Sequence, residues 1–164
     1  MPTDCKRLTE AQVYDRALSI ARNVAPRYNV NPYELAKVTT ALARIESNYC
    51  PTAKNPQSSA RGLMQILLGT QKEIETKFLK KSHEPDKIYD VSYALLLAET
   101  YLAYQYTRYK DWYKATWAYN QGSYSKKTKN GKRYADVAVR YIQQQTSGGS
   151  LAIGQPSNFY REFL

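Results

Sequence analysis

Apolar residues recur along this chain with the period of a helix, and no stretch shows the alternation of a convincing strand. Val13, Ala17, Leu18, Ile20, Ala21 and Val24 give residues 9–25 the spacing of an amphipathic helix, with Thr9 as N-cap and Pro26 as stop. Asn31-Pro32 reads as the cap and first residue of a second helix. That helix carries Leu35, Val38, Leu42 and Ile45 and reaches about residue 48, before Cys50-Pro51 ends it. Residues 52–59, rich in Ser, Asn, Gln and Pro, form a loop. A third helix is predicted over 64–78, then a polar connection over 80–87. A long helix over 89–110 has Val91, Ala94, Leu95, Ala98, Leu102 and Tyr106 on its inner side. A short helix over 112–120 ends near Gly122. A basic loop fills 123–131 and a last helix 133–145. The fold class is all-α, with at most a minimal β element near residues 58–62. One domain is expected over residues 1–146, with a Gly/Ser linker and C-terminal tail over 147–164.

At 164 residues the chain suits one domain with a sizeable core. Sixteen Tyr contribute to its 43% hydrophobic content. Most of them should lie half-buried on helix faces, while the apolar ring and polar tip of Tyr also suit carbohydrate clefts. The net charge of +10 favours polyanionic partners, and Lys126, Lys127, Lys129, Lys132 and Arg133 concentrate it in one stretch. Such a cluster is ordinarily a solvated loop, and no nucleic-acid-binding motif accompanies it, so no nucleic-acid partner is expected. No run is long enough to span a membrane, and the first eight residues lack the apolar core of a secretion signal. The expectation is synthesis in the cytoplasm without a signal peptide, with delivery elsewhere left to another agent. Cys5 and Cys50 allow at most one internal disulfide, or two free thiols in a reducing compartment, and the sequence leaves both states open. A single histidine, His83, makes a zinc hydrolase unpromising.

Three short segments carry the candidate chemistry: Glu46-Ser47, Gly62-Leu63-Met64-Gln65, and Ala118-Tyr119-Asn120 with Gly122 behind them. Glu46 falls in the last turn of its predicted helix, where the negative end of the dipole disfavours a carboxylate and raises its pKa. An apolar cleft would push the same way, giving a carboxylic acid protonated near neutral pH, as a general acid requires. Gly62 allows close backbone approach or an unusual dihedral angle, Leu63 and Met64 can wall a pocket, and Gln65 offers both donor and acceptor. Taken singly, these are a surface acid, a helix start, and a core Tyr with a capping Asn. None of the three segments contains a second acid.

Together the segments resemble the soluble-type lytic transglycosylases, family 23 of the glycoside hydrolases, which share a lysozyme-like α-domain with goose-type lysozyme. The stretch from Ile45 to Ala53 is similar to that family's Glu-Ser motif, with Pro51 five residues past the acid. Gly62-Leu63-Met64-Gln65-Ile66 and Ala118-Tyr119-Asn120-Gln121-Gly122 are similar to its second and third motifs. The segment Tyr28 to Leu35 resembles the lead into the Glu helix, and Tyr101-Leu102 fits the helix before the third motif. The resemblance runs roughly from Leu8 to Tyr141. It departs at Asn55, at Ser59-Ala60, at Leu67-Leu68 and at the entry to the last helix, where Asn130-Gly131-Lys132-Arg133 stands and Tyr134 follows.

The resemblance implies a bond cleaved between N-acetylmuramic acid and N-acetylglucosamine in peptidoglycan glycan strands, with Glu46 as acid and then base and a 1,6-anhydro product. It implies no cofactor and no metal. It assigns substrate contacts to Ser47, Asn55, Met64, Gln65, Leu67, Tyr119, Asn120 and Tyr134, and suggests a monomer. A hydrolytic muramidase of goose-lysozyme type, with Asp86 or Asp90 holding the water, is the nearest rival. Further rivals are a cysteine peptidase using Cys50 and His83, and a non-catalytic wall-binding module. The single-domain size and missing signal suit a phage-encoded endolysin or virion component, or else a secretion-system enzyme.

Overall fold

The computed structural model describes residues 5–145; the linker and tail expected over 147–164 lie outside them. Six α-helices build it: α1 (Glu10–Tyr28), α2 (Pro32–Ser47), α3 (Leu68–Ile74), α4 (Val91–Tyr109), α5 (Trp112–Gln121) and α6 (Lys129–Gln144). A π-helical turn (Glu75–Leu79) continues α3, and a 3-10 turn (Pro85–Tyr89) leads into α4. The fold is all-α, as the hydrophobic period requires.

Local chemistry starts most of these helices where the sequence places them. The Gln12 N–H donates to Thr9 Oγ1 at 3.1 Å while Gln12 Oε1 accepts from the Thr9 N–H at 2.9 Å, a reciprocal capping box. Asn31 Oδ1 accepts from the N–H groups of Tyr33 and Glu34, with Pro32 in the first turn. Asp90 and Asp111 cap α4 and α5 through the N–H groups of Tyr93 and Lys114.

Several boundaries differ from expectation. Pro26 does not stop α1; the helix runs on to Tyr28 and ends at Asn29, whose left-handed φ of 55° turns its N–H back onto the last carbonyls. The third helix begins at Leu68, not at residue 64, because Gly62 and Gln65 adopt positive φ and fold 62–66 into a turn. The β element expected near 58–62 is reduced to two isolated bridges, Lys54 with Arg61 and Arg61 with Ile66. The last helix starts a turn earlier, at Lys129, so part of the basic stretch is helical. Cys5 and Cys50 are joined in a disulfide, with Cα atoms 6.1 Å apart, the bonded of the two states that the sequence leaves open.

Helix α4 forms the centre. Leu95, Leu97, Leu102 and Ala103 are all inaccessible, so it buries more than the single side its pattern suggested. It packs against α1, α2, α3 and α5, and α6 lies against α2 and α5. One polar tie crosses the core at a buried acid: Trp112 Nε1 donates to the Glu34 carboxyl group at 2.9 Å, joining the start of α2 to α5. The α5–α6 approach depends on Gly131, where any Cβ would overlap the Trp117 indole. Gly131→Ala should therefore destabilise the fold by about 1–3 kcal/mol through overpacking; a drop in thermal midpoint relative to Gly69→Ala, where a Cβ meets open space, checks this.

Candidate active site

Glu46 stands one residue before the end of α2, and Ser47 is the helix's last residue. The Ser47 hydroxyl is fully buried; it donates to the Leu63 carbonyl at 2.6 Å and accepts from the Cys50 N–H at 3.1 Å. Those bonds fasten the end of α2 to the 62–66 turn, so Ser47 is placed as a tie between segments and not on the open cleft. Gly62 has a φ of +80°, and a Cβ there would come within 2.6 Å of the Ile88 carbonyl oxygen, so both the dihedral and the close approach demand glycine.

A cleft of about 190 Å³ opens above this junction. Glu46, Met64, Gln65, Leu67, Tyr119 and Asn120 all line it, joined by Ile66, Thr70, Ile74, Ala98 and Tyr101. Tyr134 stands behind: its hydroxyl donates to Glu46 Oε2 at 2.7 Å across the gap from α6 to α2. The rings of Tyr101, Tyr119 and Tyr134 form a row, with centroids 5.7 Å and then 6.5 Å apart, that ends on the carboxyl group. Asn55 lies away from the cleft, exposed in the loop, where its Oδ1 accepts from the Gln57 N–H.

Burial pushes the Glu46 carboxyl up to about 7, and the Tyr134 hydroxyl, which favours the ionised form, holds it back in part. The helix C-terminus acts in the same direction as burial. Burial and the nearby Glu46 drive the Tyr119 and Tyr134 phenols well above their ordinary range, so both remain protonated donors. Gln65 is less versatile than its residue type suggests. Its Nε2 donates to the Ala53 carbonyl at 3.0 Å and the Gly62 carbonyl at 2.9 Å, which leaves the carbonyl oxygen as its group to offer. Asn120 Oδ1 accepts from Gln121 Nε2, leaving the Asn120 amide as a donor.

Glu46 is the one carboxylate on the lining. Asp86 and Asp90, the candidates for holding a hydrolytic water, are elsewhere. The Asp86 side chain is 87% exposed and pairs with Arg61 at 3.6 Å, while Asp90 caps α4. The Cys50–His83 pair does not exist as a dyad: the Cys50 sulfur is bonded to Cys5, and the His83 ring packs edge-on against Tyr93.

Beneath the 62–66 turn lies a buried network that sequence reasoning missed. Arg61 Nη2 donates to Gln71 Oε1, Gln71 Nε2 donates to Glu75 Oε2, and the Tyr93 hydroxyl donates to the same oxygen. Gln71 and Glu75 stand four apart on one side of the helix and turn that follow the second motif, a spacing that could have marked them. Thr70 and Ile74, which line the cleft, carry the same spacing signal.

Tyr134→Phe removes the one hydrogen bond from Tyr134 that favours ionised Glu46, so the Glu46 pKa should rise further above about 7. Carboxyl-carbon NMR titration of the variant against the wild type measures this, and an unchanged or lowered value would contradict the geometry.

Comparison with known proteins agrees with this fold. A family model described as "Transglycosylase SLT domain" matches residues 20–142. No curated protein matches the chain in sequence. Among solved structures, the 70-kDa soluble lytic transglycosylase Slt70 of Escherichia coli superposes with a TM-score of 0.62 at 20% identity, covering 76% of this chain and 23% of that one. An inactive Glu-to-Gln mutant of the lytic transglycosylase Slt of Pseudomonas aeruginosa gives 0.65 at 18% identity, covering 86% and 25%. A complex of the 70-kDa soluble lytic transglycosylase with bulgecin A gives 0.55 at 22%, covering 88% and 24%. The chain thus spans about a quarter of the length of these solved proteins, and at such identities the likeness is one of fold. With the family's model covering most of its length, the chain belongs to the transglycosylase SLT domain family.

Proposed function

We propose that this chain is a peptidoglycan lytic transglycosylase that uses Glu46 alone as acid and then base. The observation that carries the reading is the Glu46 carboxyl group: half-buried, held near pH 7 by desolvation, bonded to a neutral phenol, and without a second carboxylate on the cleft lining. Glycosidases that hydrolyse by the usual routes employ two carboxyl groups. A site with one suits chemistry in which the nucleophile belongs to the substrate.

In the first step the protonated Glu46 gives its proton to the oxygen bridging N-acetylmuramic acid and N-acetylglucosamine. The C1–O bond breaks and the N-acetylglucosamine side departs with a hydroxyl. In the second step the carboxylate takes the proton of the muramic acid 6-hydroxyl, whose oxygen bonds to C1 and closes the 1,6-anhydro ring. Water is neither consumed nor released, and Glu46 ends protonated. The Tyr134 hydroxyl steadies the carboxylate between the two steps. Tyr119 and Tyr101 present ring faces and edges to the sugars, Met64 and Leu67 supply apolar walls, and Gln65 and Asn120 provide one acceptor and one donor suited to N-acetyl groups. The Cys5–Cys50 disulfide fits action in an oxidising setting such as the cell wall.

Glu46→Gln should keep the fold and lose about 10²–10⁴-fold in the rate of clearing purified peptidoglycan, the usual worth of a general acid–base. Near-wild-type clearing would remove Glu46 from the mechanism. The same variant carries a stability signature. The Glu46 pKa is raised from 4.5 to about 7 in the folded state, so its contribution is full below pH 4.5 and is lost as pH rises through 7. Glu46→Gln should therefore melt with the wild type at pH 4 and above it at pH 8. Mass spectrometry of the released fragments separates the two wall reactions: 1,6-anhydro ends are expected, and reducing ends would establish a hydrolytic muramidase instead.

A further inference from the structure

Helix α6 presents two unlike faces. Tyr134, Ala135, Ala138 and Ile142 are buried. On the outer side, Lys129, Lys132, Arg133 and Arg140 are exposed and follow helical spacing, with Lys126 and Lys127 exposed just before the helix begins. Residues 123–145 hold six cationic side chains against one acid, Asp136, a net +5 that is half of the chain's +10. Asp136 is already engaged, by Lys132 at 2.8 Å and the Tyr113 hydroxyl at 2.7 Å. Among the described residues, Lys126, Lys127, Lys129 and Arg133 form no ion pair.

This arrangement works against the helix. The first turn of α6 holds two lysines and no acid, where the positive end of the dipole favours the reverse. Thr128 supplies no side-chain cap; its hydroxyl instead accepts from Trp117 Nε1 and donates to the Ser125 carbonyl. Local charge that opposes local structure, without compensation inside the described fold, marks a surface shaped by something outside it.

The chemistry of the patch narrows the partner. Four of its six cations are Lys, compact charges that suit singly charged groups spaced along a flexible polymer more than paired carboxylate oxygens. Its aromatic neighbours are engaged with other side chains: Trp117 stacks edge-on with Tyr113 and Tyr124, and Tyr141 lies under Arg44. They offer no platform for stacking the bases of a single-stranded nucleic acid. The chain's own residues 146–164 carry one Arg and one Glu and do not complement a net +5.

We propose that the outer face of α6 and residues 123–128 form a docking surface for a phosphodiester polymer of the cell wall, holding the enzyme on the wall while the inner face of α6 serves Glu46. The choice of a wall polymer rests on the proposed wall substrate; the binding itself does not depend on catalysis. The test compares the wild type with the triple variant Lys126→Glu/Lys127→Glu/Lys129→Glu, using poly(glycerol phosphate) as probe and random duplex DNA and polyglutamate as competitors. The wild type should bind poly(glycerol phosphate) more tightly than either competitor, with affinity falling steeply as salt rises. The variant should lose about tenfold or more and show a shallower salt dependence, by about 0.7 in log–log slope per lost contact. Its thermal midpoint should hold or rise, because Lys129→Glu places an acid at the start of a helix. Equal binding by the variant, or tighter wild-type binding to duplex DNA or polyglutamate at the same salt, overturns the proposal. On walls carrying the polymer the variant should clear more slowly, and on walls stripped of it at the wild-type rate. A wild type that cleared neither wall would defeat the catalytic reading and leave the binding result standing.

Discussion

A carboxyl group is partly shielded from water where α2, α5 and α6 meet, and a neutral phenol is its hydrogen-bond partner there. Raising Glu46 from 4.5 to about 7 corresponds to a bias toward the protonated form on the order of 3 kcal/mol. Sustaining that bias requires rigid surroundings, since a small opening would readmit solvent. Much of the neighbouring architecture answers that need. Ser47 fastens the end of α2 to the turn at Gly62, the missing Cβ of Gly131 lets α6 press against Trp117, and the Cys5–Cys50 disulfide holds the chain just beyond the acid.

The polar groups around the acid carry no charge, and the Tyr134 hydrogen bond offsets only part of the rise that burial produces. Tyr119 and Tyr134 stay protonated, and Gln65 and Asn120 are neutral amides. No lysine or arginine lines the cleft, although the chain carries twenty-four of them. A cation beside Glu46 would favour the carboxylate and lower the pKa that burial raises. Positive charge is instead gathered on the outer face of α6. A basic surface and a partly desolvated acid can coexist because the body of one helix separates them.

The polar network under the 62–66 turn has a related role. Arg61, Gln71, Glu75 and Tyr93 connect the turn to α3 and α4. Residues 62–66 form no regular ladder beyond two isolated bridges, so side chains supply the order that a sheet would otherwise provide.

Much of the fold was legible in linear order because helices are local. The caps at Thr9 and Asn31 act within four residues, and the period of Val13, Ala17, Ala21 and Val24 is a property of one segment. The three motifs also identified most of the cleft: Glu46, Met64, Gln65, Leu67, Tyr119 and Asn120 converge on it. Sequence could not tell which groups are spent on other partners. Ser47 and Asn55 carry the right chemistry but are held away from the opening, and both amide hydrogens of Gln65 are bonded within the turn. The start of α3 was misplaced because positive φ at Gln65 arises from its turn, not from a residue preference. The partnership of Tyr134 with Glu46 spans 88 positions, and the disulfide spans 45. Such pairings follow from how the helices pack. The residues therefore specified the acid and its helix, while packing decided that the acid would be partly desolvated and bonded to a phenol.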